Sequence, residues 1–256
     1  MVAALGRLLL VELRRVVSYA TLTVMTFGAA FRRREGTAVV RTQIARQIVF
    51  SGWDAVPLVA LMGALVAVST VVITAMLLPS GQTPHIIEKV LTFVLVRELA
   101  PQVTAIIVIL RSCSAIVVEL GYMSARDEIE AMQTLGIDPV RYVLLPRFSG
   151  MIVGQVALTT VFVGAAFVAG LAAAIVLGVA PALSLHTLRV HLAPFDVLVL
   201  VAKSLLAGTL VAAVACYQGL SVGRDLTQIP RRTTRALMEA LIHSTLALQL
   251  ITLATV

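Results

Sequence analysis

Little of this chain is charged and less of it is aromatic: 13% of its 256 residues are Asp, Glu, Lys or Arg, and 5% are Phe, Trp or Tyr. A soluble domain carries about twice that charge, so water is not the main solvent here. Lysine is nearly absent, with Lys89 and Lys203 as the only two. Neither follows a glycine-rich loop, which excludes a Walker A phosphate cradle. A Gly-x-Ser-x-Gly elbow, a His-Glu-x-x-His pair and a kinase signature are missing too, so no enzyme class gains support. The two cysteines, Cys113 and Cys216, fall inside apolar runs and read as small buried hydrophobes, not as a disulfide or a metal site. His85, His186 and His191 lie in links without ligand spacing, and no metal is expected.

Apolar residues fill the space: they make up 59% of the chain, with a mean hydropathy of +1.01. A spanning helix takes roughly 20 of them, so the chain can cross a bilayer five or six times and leave no room for a sizeable soluble domain. The runs place spans at about 55–78, 91–120, 148–176, 195–217 and 236–256. The expected fold is an all-α integral membrane protein of about five transmembrane helices, with residues 51–256 as the membrane domain. Pro79-Ser80-Gly81 carries the turn chemistry that closes the first span. Gly150 and Gly154 form a small-xxx-small pair in the third, suited to close helix contact.

Residues 1–50 read differently. Apolar patches there alternate with arginine, and the uncharged stretch Val16 to Phe31 is about four residues short of a comfortable span. An amphipathic helix lying in the cytoplasmic interface fits best, with a re-entrant or short tilted span as the alternative. A cleavable leader is not expected, because Arg14 and Arg15 follow the first apolar stretch instead of preceding it.

The formal charge of +7 comes from 18 arginines and two lysines against 13 acids. Segments 1–50, 121–147 and 218–235 hold eight, three and four of these basic residues, whereas the other two links hold only Lys89 and Arg189. Basic residues placed between apolar runs write the positive-inside bias, not a nucleic-acid face, so no nucleic-acid partner is expected. The bias puts the N-terminus in the cytoplasm and the C-terminus outside.

The polar interval after the second span contains a short punctuated helix. Ser124 is placed as its N-cap, Asp127, Glu128 and Glu130 favour its positive end, Gly136 stops it and Pro139 prevents continuation. That predicts about three turns, with Ile129, Met132 and Leu135 on one face. The face either folds back on the bundle or, as a coupling helix, docks on a soluble motor.

Charge at membrane depth costs several kcal/mol unless paired or hydrated. Arg97, Glu98 and Lys203 therefore stand out as a candidate site, against the alternative of an ion pair that fixes helix register. Arg111 and Glu119 lie further along the second span, toward the cytoplasm, with Glu119 interfacial. Leu61, Leu65, Val68 and Val72 recur at helical spacing and either line an acyl-chain pocket or meet lipid and neighbouring helices.

Several strings carry a resemblance. Glu130-Ala131-x-x-x-x-Gly136 followed by Leu144-Leu145-Pro146 resembles the glutamate-alanine-alanine loop by which ABC importer permeases touch their ATPases, with a shorter gap to the Leu-Pro end. Val96-Arg-Glu-Leu-Ala-Pro101, Glu119-Leu-Gly-x-Met123, Glu128-Ile-Glu-Ala-Met-x-x-Leu-Gly-Ile-Asp-Pro139, Arg141-Tyr142 and Leu145-Pro-Arg147 closely resemble the MlaE/YrbE permeases of the MCE lipid-transport systems. Lys203-Ser204, Cys216-Tyr-x-Gly219 and Thr233-Thr-Arg235 extend the likeness, which covers about residues 50–256.

The resemblance implies a permease, homodimeric or paired with a second permease. It also implies a cytoplasmic ABC ATPase that holds the ATP and Mg, an MCE-domain protein on the outer face and phospholipid as cargo. This chain itself would bind no cofactor. By motif, Arg97, Glu98 and Lys203 correspond to a charged cluster near the lipid cavity. Relatives place an acid late in the last span, where this chain offers His243 and Gln249. A conventional ABC importer permease for a small solute, and an ATP-independent membrane scaffold, remain the alternatives.

Overall fold

Apolar runs of this length leave the backbone one open-ended way to satisfy its polar groups in lipid, the α-helix. Every regular element among the described residues is helical. The computed structural model describes residues 2–31, 37–77, 91–178 and 194–255. The expectations for Pro79-Ser80-Gly81, His85, Lys89, His186, Arg189 and His191 lie outside them.

The elements are α1 (Val2–Phe31), α2 (Thr37–Ser51), α3 (Val56–Leu77), α4, α5 (Glu128–Thr134), α6 (Leu145–Val176), α7 (Pro194–Leu220) and α8 (Ile229–Thr255). Helix α4 is one rod made of the π-helical Leu91–Leu99, the α-helical Ala100–Val108, the π-helical Ile109–Cys113 and the α-helical Ser114–Ala125. A further π turn, Val140–Leu144, leads into α6. Two of these π segments end two residues before a proline, Pro101 and Pro146. A proline has no N–H for the carbonyl four residues back, which loosens the ladder there and favours the wider turn.

Five stretches are long and apolar enough to cross a membrane: Val39–Met76, Leu95–Ala125, Val140–Val176, Pro194–Leu220 and Leu226–Thr255. The chain is a multi-pass membrane protein. Three of these helices begin well before the apolar runs that announce them. The first starts at Val39, through the polar residues of α2, because α2 packs along α6. Gln47 lies against Gly150 and Ser51 against Gly154, the close contact expected of that glycine pair. Gly52 and the 3-10 turn Trp53–Ala55 join α2 to α3. Trp53 is 73% exposed.

Helices α6 and α7 form the centre. Helix α6 packs α2 and α3 on one side and α7 on the other, while α7 also carries α8, the second half of α4, and α1. Burial around α7 is almost continuous from Val211 to Cys216, where small side chains let its neighbours approach closely. The outward faces of α3 and α8 are apolar and exposed, with Leu61, Leu65 and Val68 on α3 and Ile242, Leu246 and Leu250 on α8. Val72 is half-buried.

Among the described glycines, Gly63 comes closest to another helix's backbone: a Cβ there would stand 2.7 Å from the carbonyl oxygen of Phe162. Backbone cannot rotate away as a side chain does. Gly63→Leu is therefore expected to separate α3 from α6 and to cost about 3 kcal/mol, seen as a lower thermal unfolding midpoint of the detergent-solubilised protein. An unchanged midpoint would show that the crossing is looser than this.

Candidate functional site

The centre of the site follows from Pro101. Its missing N–H removes the ordinary helical donor for the carbonyl of Arg97. That carbonyl accepts instead from Lys203 Nζ of α7, at 2.8 Å. The same ammonium donates to Glu98 Oε1 at 2.8 Å and to Thr252 Oγ1 of α8 at 2.7 Å. An ammonium has three protons to give, and here all three have an acceptor. The saturation matters because the Lys203 side chain is wholly buried, and Glu98 is 23% exposed. Thr252 in turn donates to Glu98 Oε1 at 2.8 Å, closing a ring of three side chains from α4, α7 and α8.

Arg97 points the other way around the same ring. It donates to the backbone carbonyl of Thr255, faces Asp196 at 3.9 Å, and lies 5.9 Å from the centre of the Phe195 ring. The three charged residues singled out from the sequence are thus brought together. The acid looked for late in the last span is replaced by the hydroxyl of Thr252. Neither His243 nor Gln249 reaches the cluster: His243 contacts the Glu239 carbonyl at 2.6 Å, and Gln249 is exposed. Below the ring, Thr104, Gln155 and Thr159 continue a polar path between α4 and α6, with Thr104 and Thr159 hydroxyls 2.9 Å apart.

The opposite end of the bundle carries α5. It is seven residues long, about two turns instead of the three expected, because Ser124 is still inside α4 and donates to the Leu220 carbonyl at 3.4 Å. Asp127 stands at the N-cap position in the left-handed region, φ 57°, which short polar side chains tolerate best. Gly136, φ 76°, ends the helix as expected, with its N–H on the Gln133 carbonyl and that of Ile137 on the Met132 carbonyl. These two bonds form a Schellman motif.

The apolar face of α5 is divided. Met132 turns in against the core and Ile129 is half-buried, so part of the face does fold back on the bundle. Leu135 stands 75% exposed. Of the acids, Glu128 lies in the first turn and half-buried, while Asp127 and Glu130 both meet Arg224 of the α7–α8 turn, at 2.9 and 3.3 Å. The hydrogen bond that Arg224 donates to Asp127 and the two carboxylate charges raise the Arg224 pKa above its ordinary value. Nearby, the hydroxyl and backbone N–H of Thr227 hold Asp225 below the usual carboxylate range.

Two further ion pairs brace the rods. Arg147, buried on α6, meets Glu119 at 2.8 Å, and Glu119 is 60% exposed, in keeping with an interfacial position. Arg111 pairs with Asp54 at 2.9 Å. Sequence reasoning missed one junction altogether, at Glu239 of α8. Its two carboxylate oxygens accept from Arg15 at 3.1 Å, Tyr19 at 2.7 Å, Arg235 at 2.9 Å, and Gln218. The signal was present: Glu239 is an acid inside an otherwise apolar run, and such a residue needs partners.

These contacts generate two expectations. Glu98→Gln leaves the Lys203 ammonium beside a neutral amide and should cost about 3 kcal/mol, whereas Glu98→Gln with Lys203→Met removes both charges and should recover most of it. Thermal unfolding of the purified single and double variants decides the point. Glu239→Ala should raise hydrogen exchange over residues 14–29 while α7 stays protected, and equal protection in the variant would deny the junction its role.

Comparison with known proteins agrees with this architecture. The family model described as Permease MlaE matches residues 44–254. A "Probable ABC transporter permease protein" of Rickettsia prowazekii is 27% identical over 219 residues, 82% of this chain and 81% of that one. One of the same description from Synechocystis is 27% identical over 161 residues, 61% of this chain and 60% of its own length. The chloroplastic protein of Arabidopsis thaliana named trigalactosyldiacylglycerol 1 is also 27% identical over 161 residues, with 61% of this chain and 45% of that protein covered. The match to the family model takes in every span from the C-terminal half of α2 to the end of α8, and the chain belongs to the MlaE permease family.

Proposed function

We propose that this permease subunit moves phospholipid between a bacterial inner membrane and an MCE-domain protein on the outer face, driven by a separate ABC ATPase on the cytoplasmic side. As a transport subunit and not an enzyme, the chain supplies the passage, and ATP and Mg belong to the ATPase.

The observation that carries the reading is α5: an acidic two-turn helix between two spans, with Leu135 uncovered at the end where the arginines collect. An exposed leucine on a short, capped, outward helix is suited to a groove on a soluble partner. The relatives described as ABC transporter permeases support an ATPase as that partner. The positive-inside bias puts α5, and with it the N-terminus, in the cytoplasm.

The lipid part of the reading is supported by the lysine cluster and by the Arabidopsis relative, which is named after a galactolipid. The cluster sets hydrogen-bonding charge at the end of the bundle away from α5, where a headgroup would lie, and the exposed α3 stripe of Leu61, Leu65 and Val68 gives acyl chains an apolar wall. A second permease copy, identical or not, would close that wall into a cavity. Force on α5 reaches the cluster through α4, which carries Arg97 and Glu98 near one end and joins the α5 segment at the other.

Leu135→Arg or Glu130→Arg should abolish co-purification of the ATPase with the tagged permease while leaving the fold intact. An ATPase still bound to both variants would remove α5 from the interface. A soluble solute-binding protein in place of an MCE protein would instead indicate an importer.

A further inference from the structure

Helix α5 hangs on a narrow joint. Two residues, Arg126 and Asp127, separate it from α4, and Asp127 is in the left-handed region. No residue of α5 is buried, although Met132 packs against the core and Ile129 is half-buried. A helix of seven residues has little stability of its own, so its direction depends on what else holds it.

Asp127 supplies that hold. A carboxylate at the N-cap position ordinarily accepts from an N–H of the first turn, and this one makes no such bond. Its Oδ1 accepts instead from Arg224 Nε at 2.9 Å, while Glu130 Oε2 accepts from Nη2 of the same guanidinium at 3.3 Å. Arg224 thus holds α5 at two points.

The turn that carries Arg224 is braced on both sides. Val222 is 2% exposed and lies so close to α4 that a Cβ on Gly121 would stand 3.0 Å from its Cγ2. Asp225 accepts from the backbone N–H and the hydroxyl of Thr227 at 3.0 and 2.6 Å, capping the 3-10 turn Leu226–Gln228 that runs into α8. An exposed ion pair adds little to stability, and the Arg224 side chain is 74% exposed. Standing on a braced turn, it sets orientation instead.

We infer that Arg224 is a positioning residue that joins α5 to the α7–α8 hairpin, so that a displacement of α5 is delivered to α7 and α8 as well as to α4. Those two helices carry Lys203 and Thr252, so the lysine cluster is reached through three helices and not one. The delivery rests on the ATPase proposed above, whereas the joint does not.

Hydrogen exchange of the full chain in nanodiscs, with no ATPase present, tests the joint. Arg224→Gln should raise exchange of the amides of residues 131–137 about fivefold. Asp127→Asn keeps a residue suited to the left-handed region and should do the same, and the double variant should add nothing further. Arg224→Lys should recover part of the protection. Salt at about 1 M should loosen α5 in the parent chain and leave Arg224→Gln as it is. Parental exchange in both single variants, or additive effects in the double, overturns the joint.

A second measurement adds a saturating amount of the cytoplasmic ATPase with a non-hydrolysable ATP analogue. In the parent chain, exchange should change in α5 and in α7 and α8. In Arg224→Gln the α5 change should stay and the α7–α8 change should fall about fivefold. A full α7–α8 response in that variant routes the push through α4 alone and overturns the delivery. An ATPase that leaves α5 unprotected in the parent chain sinks the motor reading and the delivery with it, while the joint stands or falls on the first measurement.

Discussion

Everything in this bundle is arranged around a positive charge that has no water. Taking an ammonium out of solvent costs several kcal/mol unless its protons are all met, and Lys203 is met by one acceptor from its neighbour's backbone and two from side chains. Those acceptors sit on α4 and α8, so the charge fixes the register of three spans against each other. A slip of α8 by one residue would carry Thr252 off by about 100° around the helix. In lipid, where burial of apolar surface gives helices little reason to associate, a polar contact of this kind is what makes one packing better than its neighbours.

How the acceptor arises shows what a sequence can and cannot disclose. Arg97, Glu98 and Lys203 were legible as a site because charge inside an apolar run is costly wherever it points. That Pro101 helps prepare the backbone acceptor is also written in the chain, as a proline four residues after Arg97. Which hydroxyl would complete the ring was not legible: Thr252 resembles every other threonine that bonds back to its own helix, and only the α7–α8 packing singles it out. Glu239 was legible and overlooked, while Arg224 gave no signal, since an arginine in a basic loop is unremarkable until α5 is seen beside it.

Span number and order could be read from hydropathy, and the helix ends could not. Helix α2 is polar enough to look interfacial on its own, yet Gly150 and Gly154 open a track along α6 that holds it as the beginning of the first long helix. The α5 punctuation was read correctly at Gly136 and misplaced at Ser124. A glycine at φ 76° has few substitutes, whereas a serine near a helix start competes with any other short polar residue, and here Asp127 took the place. The same contrast separates the two ends of the molecule: one holds groups that are buried and paired, the other leaves Leu135 exposed.

The Glu239 junction ties the middle of α1 to the final span, across 220 positions of chain between Tyr19 and its carboxylate. At ordinary synthesis speeds of about 5–20 residues per second, that interval is roughly ten to forty seconds during which Arg15 and Tyr19 have been made and their acceptor has not. The first helix is therefore locked only when the last one arrives. Assembly closes by joining the last described span to α1.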